Sequence, residues 1–167
     1  RALVLLDNRR VRVPEMTAER FGDLLAARIA LETEAAARAA ASVDPERLER
    51  LVAEDEAIET AYRAGDVEGA IEANLAFHRS LYEARPGNPF LPLIESVWLQ
   101  LGPFMRAALS DLADHYKVDR HAEALAAIEA GDPAALKRAI EADIRDAIGH
   151  LAEEGAPAAQ RGRETVS

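Results

Sequence analysis

The chain has 167 residues, 49% of them hydrophobic, with no cysteine and a net charge of −10, which supplies apolar material for one core and excludes disulfides and thiolate metal sites. Four Phe, three Tyr and one Trp, set among abundant Ala, Leu, Glu and Arg, favour helix over sheet. No apolar run reaches the roughly 18 residues of a membrane span and no signal-peptide core is present, so a cytoplasmic protein without a membrane partner is expected.

The charge is uneven. Residues 1–13, RALVLLDNRRVRV, carry +3, leaving −13 on the remainder, an acidic body that should repel nucleic acid. Within that basic start, LVLL and VRV flank the turn-like DNRR, the pattern of a short β-hairpin with Arg9 and Arg10 at its tip. A lone hairpin is marginal in water, so it is expected to belong to something larger.

From Pro14 onward, helix punctuation recurs. Thr17 can cap a helix running to about Ser42, and Asp44-Pro45 places an N-cap and a first-turn proline before a second, to about Ala64. Gly65-Asp66 ends that helix and caps a third, to about Ala84. After Arg85-Pro86-Gly87, Asn88-Pro89 opens a fourth that is apolar nearly all round, with Phe90, Leu93, Ile94, Val97, Trp98 and Leu101. It reads as a central helix, broken or kinked at Pro103. A fifth is expected over about Phe104–His115 and a sixth over about Val118–Ala130. Gly131-Asp132-Pro133 then opens a last one to about Glu154, and the tail APAAQRGRETVS, without periodicity, should be disordered.

Several of these helices point polar side chains inward. On the third, Ile71, Leu75, Leu81 and Tyr82 define an apolar stripe that includes Asn74 and His78 and leaves Glu68, Glu72 and Arg79 outside it. On the last, Leu136, Ile140, Ala147 and Leu151 form a stripe that contains Asp143. His121 stands at the start of the stripe set by Leu125 and Ile128. His115 and His150 lie near helix ends, where a cation suits the dipole. Asn74 and His78 taken alone read more readily as a satisfied core pair, but a buried carboxylate needs a cation or strong donors. Together, Asn74, His78, His121 and Asp143 offer two imidazoles, a carboxylate and an amide oxygen, a set suited to a divalent ion such as zinc, nickel or manganese.

The residues also carry a family resemblance. The series R..LE..AA..AA (Arg28, Leu31, Glu32, Ala35, Ala36, Ala39, Ala40) is followed by N...H and GN..L (Asn74, His78, Gly87, Asn88, Leu91). Then comes H...L.AIE.GD..A.......D, from His121 through Leu125, Gly131 and Ala135 to Asp143. In order and spacing, over about Ala18–Glu154, this resembles the effector-binding C-terminal (FCD) domain of the FadR branch of GntR transcription regulators. The resemblance implies an all-α antiparallel bundle of about six to seven helices. It also implies that the basic start is a remnant of the wing of a winged helix-turn-helix domain whose recognition helix is not among these residues, with Arg9 and Arg10 as its DNA-contacting side chains. The chain then divides into a wing remnant and linker at 1–16, a helical domain at 17–154 and a tail at 155–167.

In metal-binding members of that family, an Asp and a His four apart are followed by a His on each of two later helices. Here His78 and His121 match, while the first position is Asn74 and the last is Asp143, so one carboxylate is kept but on the other side of the site. The resemblance further implies a small carboxylate effector that completes the metal's coordination. Arg28, on the stripe of Phe21, Leu24 and Leu25, is the first candidate to grip it bidentately, and Arg106 is the second. Two plainer readings stand beside these: an i,i+4 ion pair of Arg28 with Glu32, and a solvated Arg106.

The expected function is therefore ligand sensing and homodimerisation in a transcription regulator that meets operator DNA through the winged domain, and not an enzyme. Two other classes stay open: a helical-bundle metalloenzyme, although the Glu-x-x-His pairs of di-iron bundles are absent, and a metal-free interaction module whose inward polar groups satisfy one another.

Overall fold

The structure is a computed structural model that describes the backbone of residues 4–5, 11–12, 14–109 and 119–154, with side chains over 14–102 and 119–148. Six helices make up the described fold: α1 Ala18–Ala39, α2 Pro45–Ala64, α3 Val67–Glu83, α4 Leu91–Leu109, α5 Arg120–Glu129 and α6 Pro133–Glu154. A single 3-10 turn, Ala40–Ser42, extends α1. Val4–Leu5 pairs antiparallel with Val11–Arg12, two residues a side, which is too little to form a layer. The fold is all-α. Arg9, Arg10 and the tail from 155 lie outside the described residues.

Capping chemistry sets the helix starts. The Thr17 hydroxyl accepts from Arg20 N, Asp44 from Arg47 N and Asp66 from Gly69 N, so each side chain satisfies one of the amides left over in a first turn. Asp119 accepts from Ala122 N, and Asp132 Oδ1 from the amides of both Ala134 and Ala135. Gly65 ends α2 with φ 70°, in the left-handed region where a Cβ is unfavourable. The links Gly65-Asp66 and Ala130–Asp132 are too short for anything but a reversal, and they make α2/α3 and α5/α6 antiparallel pairs. α1 packs on α6, α4 and α3, so the long first helix closes the bundle.

The core is continuous and runs from Phe21 and Leu25 through Phe77, Leu81 and Tyr82 to Leu136, Ile140, Ile144 and Ile148. Two features depart from the periodicity reading. Leu75 is 36% exposed and Phe77 is fully buried, so the inward face of α3 is Ala70, Phe77, His78, Leu81 and Tyr82, turned from the expected stripe but still containing His78. α4 is not central: Ile94, Val97 and Leu101 are buried, whereas Leu93 and Leu99 are exposed. The helix also runs unbroken past Pro103 to Leu109. A proline costs about 3 kcal/mol inside a helix but does not forbid one. Residues 110–118, which hold the rest of the expected fifth helix, and the side chain of Arg106 lie outside the described residues.

Candidate metal centre

Three helices bring the inward polar residues together. α3 contributes Asn74 and His78, α5 contributes His121 from its first turn, and α6 contributes Asp143 from mid-helix. His78 Nε2 stands 3.0 Å from Asp143 Oδ2, and His121 Nε2 stands 3.6 Å from Asp143 Oδ1. The amide nitrogen of Asn74 lies 3.2 Å from His121 Nε2. All four expected ligands are thus in one place. His78, His121 and Asp143 are buried, and Asn74 is half-buried.

The outer nitrogens of both rings face side chains beyond the inner four. His78 Nδ1 is 3.1 Å from the Tyr82 hydroxyl, which donates in turn to Glu32 Oε2 at 2.8 Å. Because Glu32 as a carboxylate only accepts, the Tyr82 proton points toward it, and the phenolic oxygen is left to accept from His78 Nδ1–H. That leaves His78 Nε2 as the nitrogen facing Asp143. On the other ring, His121 Nδ1 lies 3.4 Å from Asp55 Oδ1. Both imidazoles thus turn Nε2 to one buried carboxylate and Nδ1 away from it.

Glu32 joins three helices. Fully buried on α1, it accepts from Arg28 Nε at 2.7 Å, from the Trp98 indole N–H of α4 at 2.8 Å and from Tyr82 of α3. Burial disfavours the Arg28 guanidinium, yet Glu32 outweighs it and holds the pKa above its ordinary value. Among the described residues, Glu32 is the one hydrogen-bond acceptor of Arg28, which is 3% exposed. The i,i+4 pair anticipated as the plainer reading of Arg28 is present, and it spends one donor of five.

The electrostatics centre on Asp143. Burial pushes its carboxyl up, but His121, His78 and Arg28 outweigh that and hold it down to about 2. Burial also works against a charged His121, yet Asp143, Asp55 and Asp119 together raise it. Burial, and then Glu32, push the Tyr82 hydroxyl well up, and burial with Asp143 brings Tyr62 to about 12. The site is an ionised carboxylate flanked by two imidazoles, with the Arg28 guanidinium close enough to favour its charge.

Sequence reasoning placed the four inner residues and Arg28, but it missed Glu32 as a hub and missed Asp55, Tyr82 and Trp98 as partners. For Glu32 a signal was available: a charged residue four positions after Arg28 shares its apolar stripe and so shares its burial. Asp55 gives no such signal, since α2 carries acids on most of its surface.

The FCD domain family matches residues 23–146, the greater part of the chain and all of the site. The chain belongs to the FCD domain family. Among solved structures, E. coli McbR/YncC is similar with a TM-score of 0.82 at 23% identity, over 92% of this chain and 78% of that one. A second, titled as Lar, which controls the expression of the Listeria monocytogenes agr system and mediates virulence, gives a TM-score of 0.65 at 15% identity, over 92% and 73%. At these identities the likeness is one of fold. No curated protein matches the sequence. Family and fold together make this a GntR/FadR-type FCD domain, an effector-binding regulatory module.

Among the described residues of this FCD domain, no helix is long and apolar enough to cross a membrane.

Proposed function

We propose that this FCD domain senses a small carboxylate metabolite through a divalent ion held by His78, His121 and Asp143, with Asn74 at its edge. The observation that carries this reading is the convergence of two Nε2 atoms on one buried carboxylate, with both Nδ1 atoms facing partners outside the site. One ligand atom from each of His78, His121 and Asp143 lies within 4.8 Å of the other two, near enough for one ion to meet all three. Asn74 presents its amide nitrogen, so ligation through Oδ1 requires that amide to turn over. The residues fit zinc, nickel or manganese through two nitrogens and one carboxylate oxygen. A bound ion would supply a positive centre that attracts an anion. Arg28, buried and near enough to Asp143 for the two charges to favour each other, would take the far end of that anion, and Arg106 is a second, weaker candidate.

The role is regulatory rather than enzymatic. In a homodimer, effector binding would bias the placement of attached winged domains and so their affinity for operator DNA in the cytoplasm. Elemental analysis with thermal melting tests the ion first. Metal-loaded protein should melt above chelated protein, the gain being about 4 kcal/mol at a thousandfold excess over Kd, and His121→Ala should abolish the difference. A screen of small organic acids should then give stabilisation in the parent that Arg28→Ala loses. An unchanged melt after chelation, with no metal detected, would reduce the centre to a polar core.

A further inference from the structure

Asp55 belongs to α2, a helix that contributes no side chain to the inner site. Its carboxylate nonetheless faces the outer nitrogen of His121 at 3.4 Å. That ring is 1% exposed, and its Nδ1 has no hydrogen-bond partner meeting full geometric criteria, an arrangement that costs free energy unless something answers it. Asp119 gathers on the same side, so that one oxygen from each aspartate and the imidazole nitrogen lie within 4.8 Å of one another. Asp119 already has a task, capping α5 through Ala122 N at 2.9 Å. Asp55 has no such task, and a small closure of its 3.4 Å gap makes a hydrogen bond.

A neutral imidazole carries one N–H and one lone pair, and its surroundings decide which nitrogen holds which. On the inner side, Asn74 can present either end of its amide and imposes nothing, while Asp143 Oδ1 stands 3.6 Å from Nε2 and the other oxygen of that carboxylate faces His78. The nearer carboxylate is the outer one, Asp55 at 3.4 Å from Nδ1, and it favours the N–H on that side. We infer that Asp55 is a positioning residue: it accepts from His121 Nδ1–H and thereby keeps the Nε2 lone pair turned toward Asp143 for a divalent ion. The metal half of this inference rests on the reading of the site given above; the tautomer half does not. A consequence is that α2, packed on both α3 and α5, is tied to the state of the site through this one contact.

The test uses the whole chain and Zn2+ alone, with Asp55→Ala, Asp55→Glu and Asp119→Asn, the last of which removes a neighbouring charge while keeping a good N-cap. Competition with a chromogenic chelator should show Asp55→Ala binding Zn2+ about 10- to 100-fold more weakly than the parent. Asp55→Glu should recover most of the loss, and Asp119→Asn should stay close to the parent. In parallel, ring nitrogen and carbon NMR shifts of His121 in metal-free protein, at a pH where the ring is neutral, should report the Nδ1–H form in the parent and its loss in Asp55→Ala. If the parent takes up no Zn2+, the metal reading fails, while the ring shifts still judge Asp55. An Nε2–H form in the parent, or equal Zn2+ affinity in the parent and Asp55→Ala, overturns the inference. So does an equal loss in Asp119→Asn, which would make the effect one of charge. Two Zn2+ bound per chain, one of them lost in Asp119→Asn, also overturns it in favour of a second cation site.

Discussion

His78 and Asp143 are 65 residues apart in sequence and 3.0 Å apart in space, and the other oxygen of the same carboxylate faces His121 at 3.6 Å. One buried anion thus serves two imidazoles. Asp143→Ala should leave both rings without it and weaken metal retention, read by chelator competition; equal affinity in parent and variant would remove Asp143 from the ligand set. The double variant Asn74→Asp, Asp143→His keeps one carboxylate and adds an imidazole in place of the amide. It should fold and hold the ion more tightly than the parent.

The acid stability of chelator-treated protein should carry the mark of Asp143. Its folded pKa, about 2, lies below the ordinary 3.8, so the unfolded chain takes up the proton first as pH falls. The stabilisation is therefore complete above about pH 4 and is lost between there and pH 2, at a cost on the order of 2 kcal/mol. Urea midpoints at the two ends of that window should separate more in the parent than in Asp143→Asn. A parallel fall in both would show that other carboxylates control the acid limb.

Glu32 should be the most costly single polar residue to lose. Glu32→Ala strands the buried guanidinium of Arg28 and two further donors, Tyr82 and Trp98, and breaking a buried charge pair costs about 3–5 kcal/mol. Urea denaturation of Glu32→Ala and Glu32→Gln should rank the amide as the milder change, because it keeps an acceptor. A loss below about 1 kcal/mol, the size of one ordinary hydrogen bond, would contradict the hub.

Trp98 is the single tryptophan, and its indole shares Glu32 Oε1 with Arg28. An acid that engages Arg28 should therefore alter the indole's partner and change its emission. Fluorescence titration should show a saturable change with a stabilising acid in the parent and none in Arg28→Ala. Binding seen by calorimetry with a silent Trp98 would place the acid elsewhere.

This chain by itself should bind duplex DNA weakly and without sequence preference, since the body carries −13 and residues 1–13 only +3. Fluorescence anisotropy at several salt concentrations checks it, and tight specific binding would contradict it.

The amino-acid sequence by itself determined where helices begin and stop. Thr17, Asp44, Asp66, Asp119 and Asp132 act on amides two or three residues away, and Gly65 supplies a dihedral that no distant contact is needed to choose. Spacing likewise put His78, His121 and Asp143 on inward faces, because the 3.6-residue repeat is local. What only tertiary structure decided is how far each face turns and what it meets. Leu75 rather than Phe77 looked buried because a repeat defines a stripe but not its centre, which is set by the helix packed against it. Pro103 reads as a break or a kink because propensity counts the lost hydrogen bond, yet α4 runs on to Leu109. The Trp98–Glu32–Tyr82–His78 chain and the Asp55–His121 contact join residues from five helices, and no local rule links them. They form because burying a polar group without a partner costs more than the ordering needed to bring a partner from a distant part of the chain.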